Sequence, residues 1–245
     1  MRGRGPILFL LALLLLCGPG AAAPGGRLDV TYQSPDGYRI FASHYRHEGP
    51  AAGVVLLFPD PGEGRAAWSV LADSIRGRGL DVLVPELRGT GVSVFQRGIR
   101  RERSRTPMRE DSETGLDAAA AMRYLRALPD GVAHPLVVIG SGEAASAVLG
   151  WRDGTAAAGW ILLSPSIGGG RRPTEPTAGS SVKLLVLTSS GDIQGTESAA
   201  ALLLRDREAE CWIAEGTARG AELLAARADL LPDLLDWISG ACGGR

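Results

Sequence analysis

Residues 135–151, PLVVIGSGEAASAVLGW, decide how this chain folds. Pro135 to Ile139 is an unbroken, β-branched apolar run of strand length with no polar alternation, the pattern of a strand buried on both faces. Glu143 to Trp151 then reads as a helix of mostly small residues. Between them stands the short stretch Gly140-Ser141-Gly142. A buried strand followed by a helix is half of a β-α-β unit, and such units build parallel sheets.

The same change of period repeats in both directions along the chain. Upstream, Gly53 to Phe58 (GVVLLF) and Leu80 to Pro85 (LDVLVP) read as buried strands. They flank a helix from about Ala66 to Arg78 in which Trp68, Leu71, Ala72 and Ile75 share one face. Downstream come helix Leu116 to Leu128, strands Trp160 to Leu163 and Lys183 to Thr188, helix Glu197 to Leu204, strand Glu210 to Ile213 and a closing helix. Arg27 to Tyr45 differs: two alternating runs joined by Ser34-Pro35-Asp36-Gly37 predict an antiparallel edge hairpin. The expected architecture is α/β, one domain over residues 24–245, with a mostly parallel central sheet covered by helices on both faces.

Composition narrows the function classes. The 245 residues carry 26 basic and 27 acidic side chains and 5% aromatics, so neither a basic duplex-binding surface nor a stacking platform for single strands is expected, and nucleic acid is not an expected partner. The three cysteines and three histidines show no metal-ligand spacing, so no metal and no cofactor is expected. His44 and His47, three apart on one strand, point to opposite faces and are expected at the surface. Residues 1–23 have a basic start (Arg2, Arg4), an apolar run from Ile7 to Leu16 and a small-residue end, the anatomy of a secretory signal peptide. Ten helical residues rise only about 15 Å, short of a stable membrane span. Export is therefore expected, with lipidation at Cys17 as the lesser alternative. The mature chain then keeps Cys211 and Cys242, readable as one disulfide or as two free thiols.

In order, VVLLFPDPGEGRAAW, VLVPELRGTGVS, VVIGSGEAAS, ILLSPS, VLTSSGD and EGTARGAELL resemble the landmark motifs of the α/β-hydrolase family, from about Val30 to the carboxyl terminus. The most specific is Pro85-Glu86-Leu87-Arg88-Gly89-Thr90-Gly91-Val92-Ser93, similar to the family turn P-D-x-R-G-x-G-x-S. The resemblance implies a Ser, an acid and a His on loops at the carboxyl ends of the strands. The elbow matches Gly140-Ser141-Gly142-Glu143-Ala144, which puts Gly142 at the nucleophile position. A shifted frame would make Ser141 the nucleophile but would set Ile139 and Glu143 at crowded flanks. The acid position falls on Asp192, and the base position falls on Arg219 within Gly216-Thr217-Ala218-Arg219-Gly220. The oxyanion-loop His-Gly maps to Pro59-Asp60, or to Phe58-Pro59 one frame earlier. The short stretch from Ile167 to Val182 leaves no room for a helical lid, so an open site is expected.

Glycine cannot attack a carbonyl, and a guanidinium that stays protonated cannot serve as a general base. His134 precedes the strand PLVVI, at the wrong end of the sheet to replace the missing base. The expected protein has therefore lost serine-hydrolase chemistry. In its place Gly142 and Glu143 expose helix N–H groups, and Arg219, Arg171 and Arg172 supply positive charge for a small anionic ligand. Arg97, Arg100, Arg101, Arg103, Arg105 and Arg109 would ring the same face. The plainer alternatives are an Arg219–Asp192 pair and a solvated loop whose arginines meet their own acids. An ester hydrolase using Ser141 is the alternative of another class.

Overall fold

Alternation along the strands sets both faces of the sheet at once. In strand β3 (Val54–Phe58), Val54, Leu56 and Phe58 enter one apolar cluster, while Val55 and Leu57 enter a second on the opposite face. The computed structural model describes residues 26–103, 111–128, 134–151, 156–167 and 182–243. The leader segment 1–23, Arg105, Arg109, Arg171, Arg172 and most of the lid position lie outside the described residues.

Among those residues ten strands form one sheet. These are β1 (Gly26–Gln33), β2 (Tyr38–Arg46), β3, β4 (Asp81–Pro85), β5 (Phe95–Gln96), β6 (Ile99–Arg100), β7 (Leu136–Ser141), β8 (Gly159–Leu163), β9 (Lys183–Ser189) and β10 (Glu210–Ala214). The order β10-β9-β8-β7-β3-β4 is parallel throughout. Strand β2 joins β4 antiparallel, with β1 along its other side and the short β5 and β6 continuing the edge. One cluster lies under α2 (Asp111–Arg126), α3 (Gly142–Trp151) and α4 (Ile193–Leu203), and the other under α1 (Ser69–Gly77), α5 (Gly220–Ala226) and α6 (Leu231–Ala241). No described helix is long and apolar enough to cross a membrane.

The mostly parallel sheet with helices on both faces and the antiparallel edge are as expected. Helix α4 starts four residues before the expected Glu197, because the Asp192 carboxylate accepts the N–H of Gly195 and caps it. The β5–β6 hairpin falls in the arginine-rich segment, where charge hid two strands of two residues each.

One expectation is overturned. His44 is fully buried, because β2 is enclosed between β1 and β4 and covered by α2. Its Nδ1 lies 3.1 Å from the Tyr124 hydroxyl, and its Nε2, which makes no hydrogen bond among the described residues, lies 3.5 Å from the Asp81 carboxylate, so the imidazole sits among core polar groups. His47 lies just past the strand and is part-buried, donating its N–H to Asp81. Cys211 and Cys242 are free thiols: Cys211 packs on the cluster beneath α2 to α4 and Cys242 lies within the cluster on the other face, so the sheet separates them.

Candidate functional site

Strand β3 lies between β4 and β7, so the chain leaves it in one direction and later returns on the other side. The crevice beyond the carboxyl ends of β3 and β7 is where ligands settle in open α/β sheets. The loop after β3 brings Asp60 and Glu63 to it, and the turn after β7 brings Gly142 and Glu143.

The β7–α3 turn is built from absent side chains. A Cβ on Gly140 would lie 2.6 Å from Val148 Cγ2 and 2.7 Å from Ala145 Cα, so only glycine lets α3 close onto the strand. Gly142 has φ +56, a backbone conformation that L side chains rarely adopt. A Cβ there would collide with the Asp60 carboxylate, meeting even the farther oxygen at 2.9 Å. The Asp60 carboxylate therefore stands where a side chain of residue 142 would project, and its Oδ1 accepts the Glu143 N–H at 3.4 Å.

Asp60 is held by its own loop. The Glu63 N–H donates to the Asp60 carbonyl (2.7 Å), and the Asp60 N–H donates to Glu63 Oε2 (3.3 Å). Glu63 also accepts from Trp68 Nε1 (3.1 Å) and from the Ala221 N–H at the start of α5 (3.1 Å). That carboxylate is fully engaged as a staple between the β3 loop and α5. Burial pushes the Asp60 carboxyl up to about 6. The carboxylates of Glu63 and Glu143 push it the same way, while the Glu143 N–H and the Arg219 charge pull against them.

Arg219, just before α5, does not point free charge into the crevice. Its Nε lies 3.1 Å from Asp192 Oδ2, with the arginine side chain half exposed and the aspartate buried. Asp192 also accepts from Thr188 Oγ1. The plainer reading of these two positions, a mutual ion pair, is the observed one. Of the described arginine-cluster members, Arg103 reaches the crevice, pairing with Glu143 at 2.6 Å, whereas Arg100 pairs with its neighbour Glu102. Ser141 is 1% exposed, and its hydroxyl lies against Gly220 with no hydrogen-bond partner among the described residues. His134 stands at the amino-terminal end of β7, away from the crevice. No group of three or more His, Cys, Asp or Glu that could hold a metal occurs among the described residues.

No family model and no curated protein matches the sequence. Solved structures do. An alpha-beta serine hydrolase homologue from Coxiella burnetii is 16% identical, covering 87% of this chain and 98% of that one, with a TM-score of 0.66. An a/b serine hydrolase without lid from Xanthomonas campestris is 17% identical over 91% and 96% of the two chains, with a TM-score of 0.59. The alpha/beta hydrolase GrgF from Penicillium sp. sh18 reaches 0.70 at 11% identity, over 89% and 99%. The chain has the α/β-hydrolase fold.

In the α/β-hydrolase fold the turn Pro85 to Ser93 is scaffolding. Arg88 donates from its backbone N–H, Nε and Nη2 to Asp117 at 2.8–3.0 Å and reaches Asp36 through Nη1 at 2.7 Å. Glu86 accepts the Val92 N–H, and Ser93 Oγ accepts that of Phe41. The motif that best signalled this fold thus ties the edge hairpin to α2, and its Gly89 carbonyl accepts the Arg103 N–H at 2.7 Å.

The residues that sequence reasoning missed are Asp60 and Glu63 as a pair, and Arg103 as the partner of Glu143. Asp-Pro-Gly-Glu does carry a local signal, an acid three residues on that reaches back to the first N–H. Nothing local shows that the first acid lands over Gly142. Neutralising Asp60 has a stability consequence with a definite sign. Its folded-state value lies above the ordinary 3.8, so the folded state holds a proton that the unfolded state releases, and stability falls as pH rises between 3.8 and about 6. Asp60→Asn is expected to leave stability near pH 4 little changed and to raise it at pH 8 by about 1–2 kcal/mol, as read by urea unfolding at the two pH values. An equal effect at both would show that burial does not strain this carboxylate.

Proposed function

We propose that this chain is exported, has lost serine-hydrolase activity and binds a small organic oxyanion in the crevice at Gly142. One observation carries the reading: the nucleophile position is a glycine with a carboxylate already standing over it and bonded to the Glu143 N–H at the start of α3. A group without a side chain supplies no nucleophile, and Arg219, fixed on Asp192, supplies no base. Losing such groups removes about 10⁶-fold of a triad's acceleration, since they act as a unit. The same observation supports the ligand class, because the crevice accommodates a carboxylate and offers it a backbone donor at a helix amino terminus.

The reading is tested with p-nitrophenyl acetate and purified mature protein. Hydrolysis is expected at the rate of buffer alone, and unchanged by Ser141→Ala. Turnover abolished by Ser141→Ala would overturn it in favour of an ester hydrolase using that serine.

A further inference from the structure

We propose that Asp60 is the resident anion of this crevice, a tethered carboxylate that holds the place of an external oxyanion and yields it when neutralised. The inference rests on the oxyanion reading above and adds how occupancy is controlled. Three observations meet at one point. The carboxylate occupies the space a side chain on Gly142 would need, and it takes the Glu143 N–H that an incoming anion would use. Its loop is pinned by Glu63, whose own oxygens are engaged by Trp68 and Ala221, so the occupant is supplied by a fixed element. Arg103, alongside on Glu143, keeps its Nη1 buried without a hydrogen-bond partner among the described residues, a donor beside the same crevice.

The charges that face Asp60 come from each neighbouring segment. Glu63 lies on its own loop and Glu143 on α3, with Arg103 paired to Glu143 from the segment after β6. Arg219 precedes α5 and is paired to Asp192 after β9. Glu63 and Glu143 disfavour a second anion while Asp60 is ionised. Protonation removes the nearest negative charge and weakens the acceptor that competes for the N–H, since a neutral carboxyl oxygen accepts less strongly than a carboxylate. Since burial lifts Asp60 to about 6, that change falls within a mildly acidic range.

The probe is methanesulfonate, whose charge is constant across the pH range, followed by chemical-shift titration of the protein. Wild type is expected to bind about 10–100-fold more tightly at pH 5 than at pH 8, because apparent affinity scales with the fraction of protein whose site is free. Asp60→Asn is expected to bind at pH 8 as wild type does at pH 5, with no pH dependence. The wild-type comparison needs no variant and stands even if the substitution impairs folding. Equal wild-type affinity at both pH values, or a pH dependence that survives Asp60→Asn, overturns the gate while leaving the oxyanion site intact. Absence of binding by both proteins at every pH overturns the site and the gate together.

Discussion

Asp117→Ala is expected to cost the fold about 3–5 kcal/mol, measured as a fall in the urea midpoint at pH 7. Asp117 is fully buried and accepts three hydrogen bonds from Arg88, which is itself 5% exposed. Removing the carboxylate leaves a guanidinium that stays protonated inside the protein with Asp36 as its one remaining ion-pair partner among the described residues. That loss should greatly exceed the loss from Asp36→Ala, about 1 kcal/mol, since the Asp36 side chain is 29% exposed and water can replace it. Equal effects at the two positions would mean that the Arg88 cluster contributes shape to the edge hairpin and little ion-pair energy. The turn that resembles the family pattern most closely would then be held by its backbone bonds, such as the Gly89 N–H to the Ser93 carbonyl at 2.8 Å.

The second large effect follows from the proposed loss of hydrolysis and concerns what would rebuild it on this scaffold. Gly142→Ser with Arg219→His supplies the side chains which that proposal finds missing, yet the new serine meets the Asp60 carboxylate. An acyl-transfer oxyanion would form against a negative group where the fold needs donors, and the loop offers few: Pro61 has no N–H, and the N–H of Asp60 is taken by Glu63. The double substitution is therefore expected to stay at background with p-nitrophenyl acetate. Adding Asp60→Gly is expected to raise the rate by about 10²-fold or more, the scale of one oxyanion-hole donor. Far-ultraviolet circular dichroism and thermal unfolding of both variants separate a chemical failure from a folding failure. A double variant as active as the triple would show that Asp60 swings clear of residue 142 at no cost.

Much of the architecture was legible because it depends on local period. Unbroken apolar runs such as Val54–Phe58 and Leu136–Ile139 are buried from both sides, and each side chain alternates between the two clusters. The change to helical period after Gly142 and the cap at Asp192 are also local, although the capping role of Asp192 shifted α4 earlier than its apolar pattern suggested. His44 was misplaced for the opposite reason. Its strand alternates, but whether the polar face of a hairpin meets water depends on what packs over it, and here Tyr124 of α2 and Asp81 of β4 do.

The site divides along the same line. Sequence alone determined that residue 142 in the strand-to-helix stretch is a glycine, that residue 219 is an arginine and that residue 192 is an aspartate, since these are matters of residue identity and order. Only the tertiary structure decided what those positions do with one another. Glu143 meets Asp60 across 83 residues and Ala221 meets Glu63 across 158, contacts between loops that share no local pattern. The charge of Arg219, open to an external anion as far as sequence shows, is bound to Asp192, and the helix amino terminus beside it holds a carboxylate of the protein's own. A loop residue's partner is set by which strand ends the sheet brings together, and in this fold those ends come from distant parts of the chain.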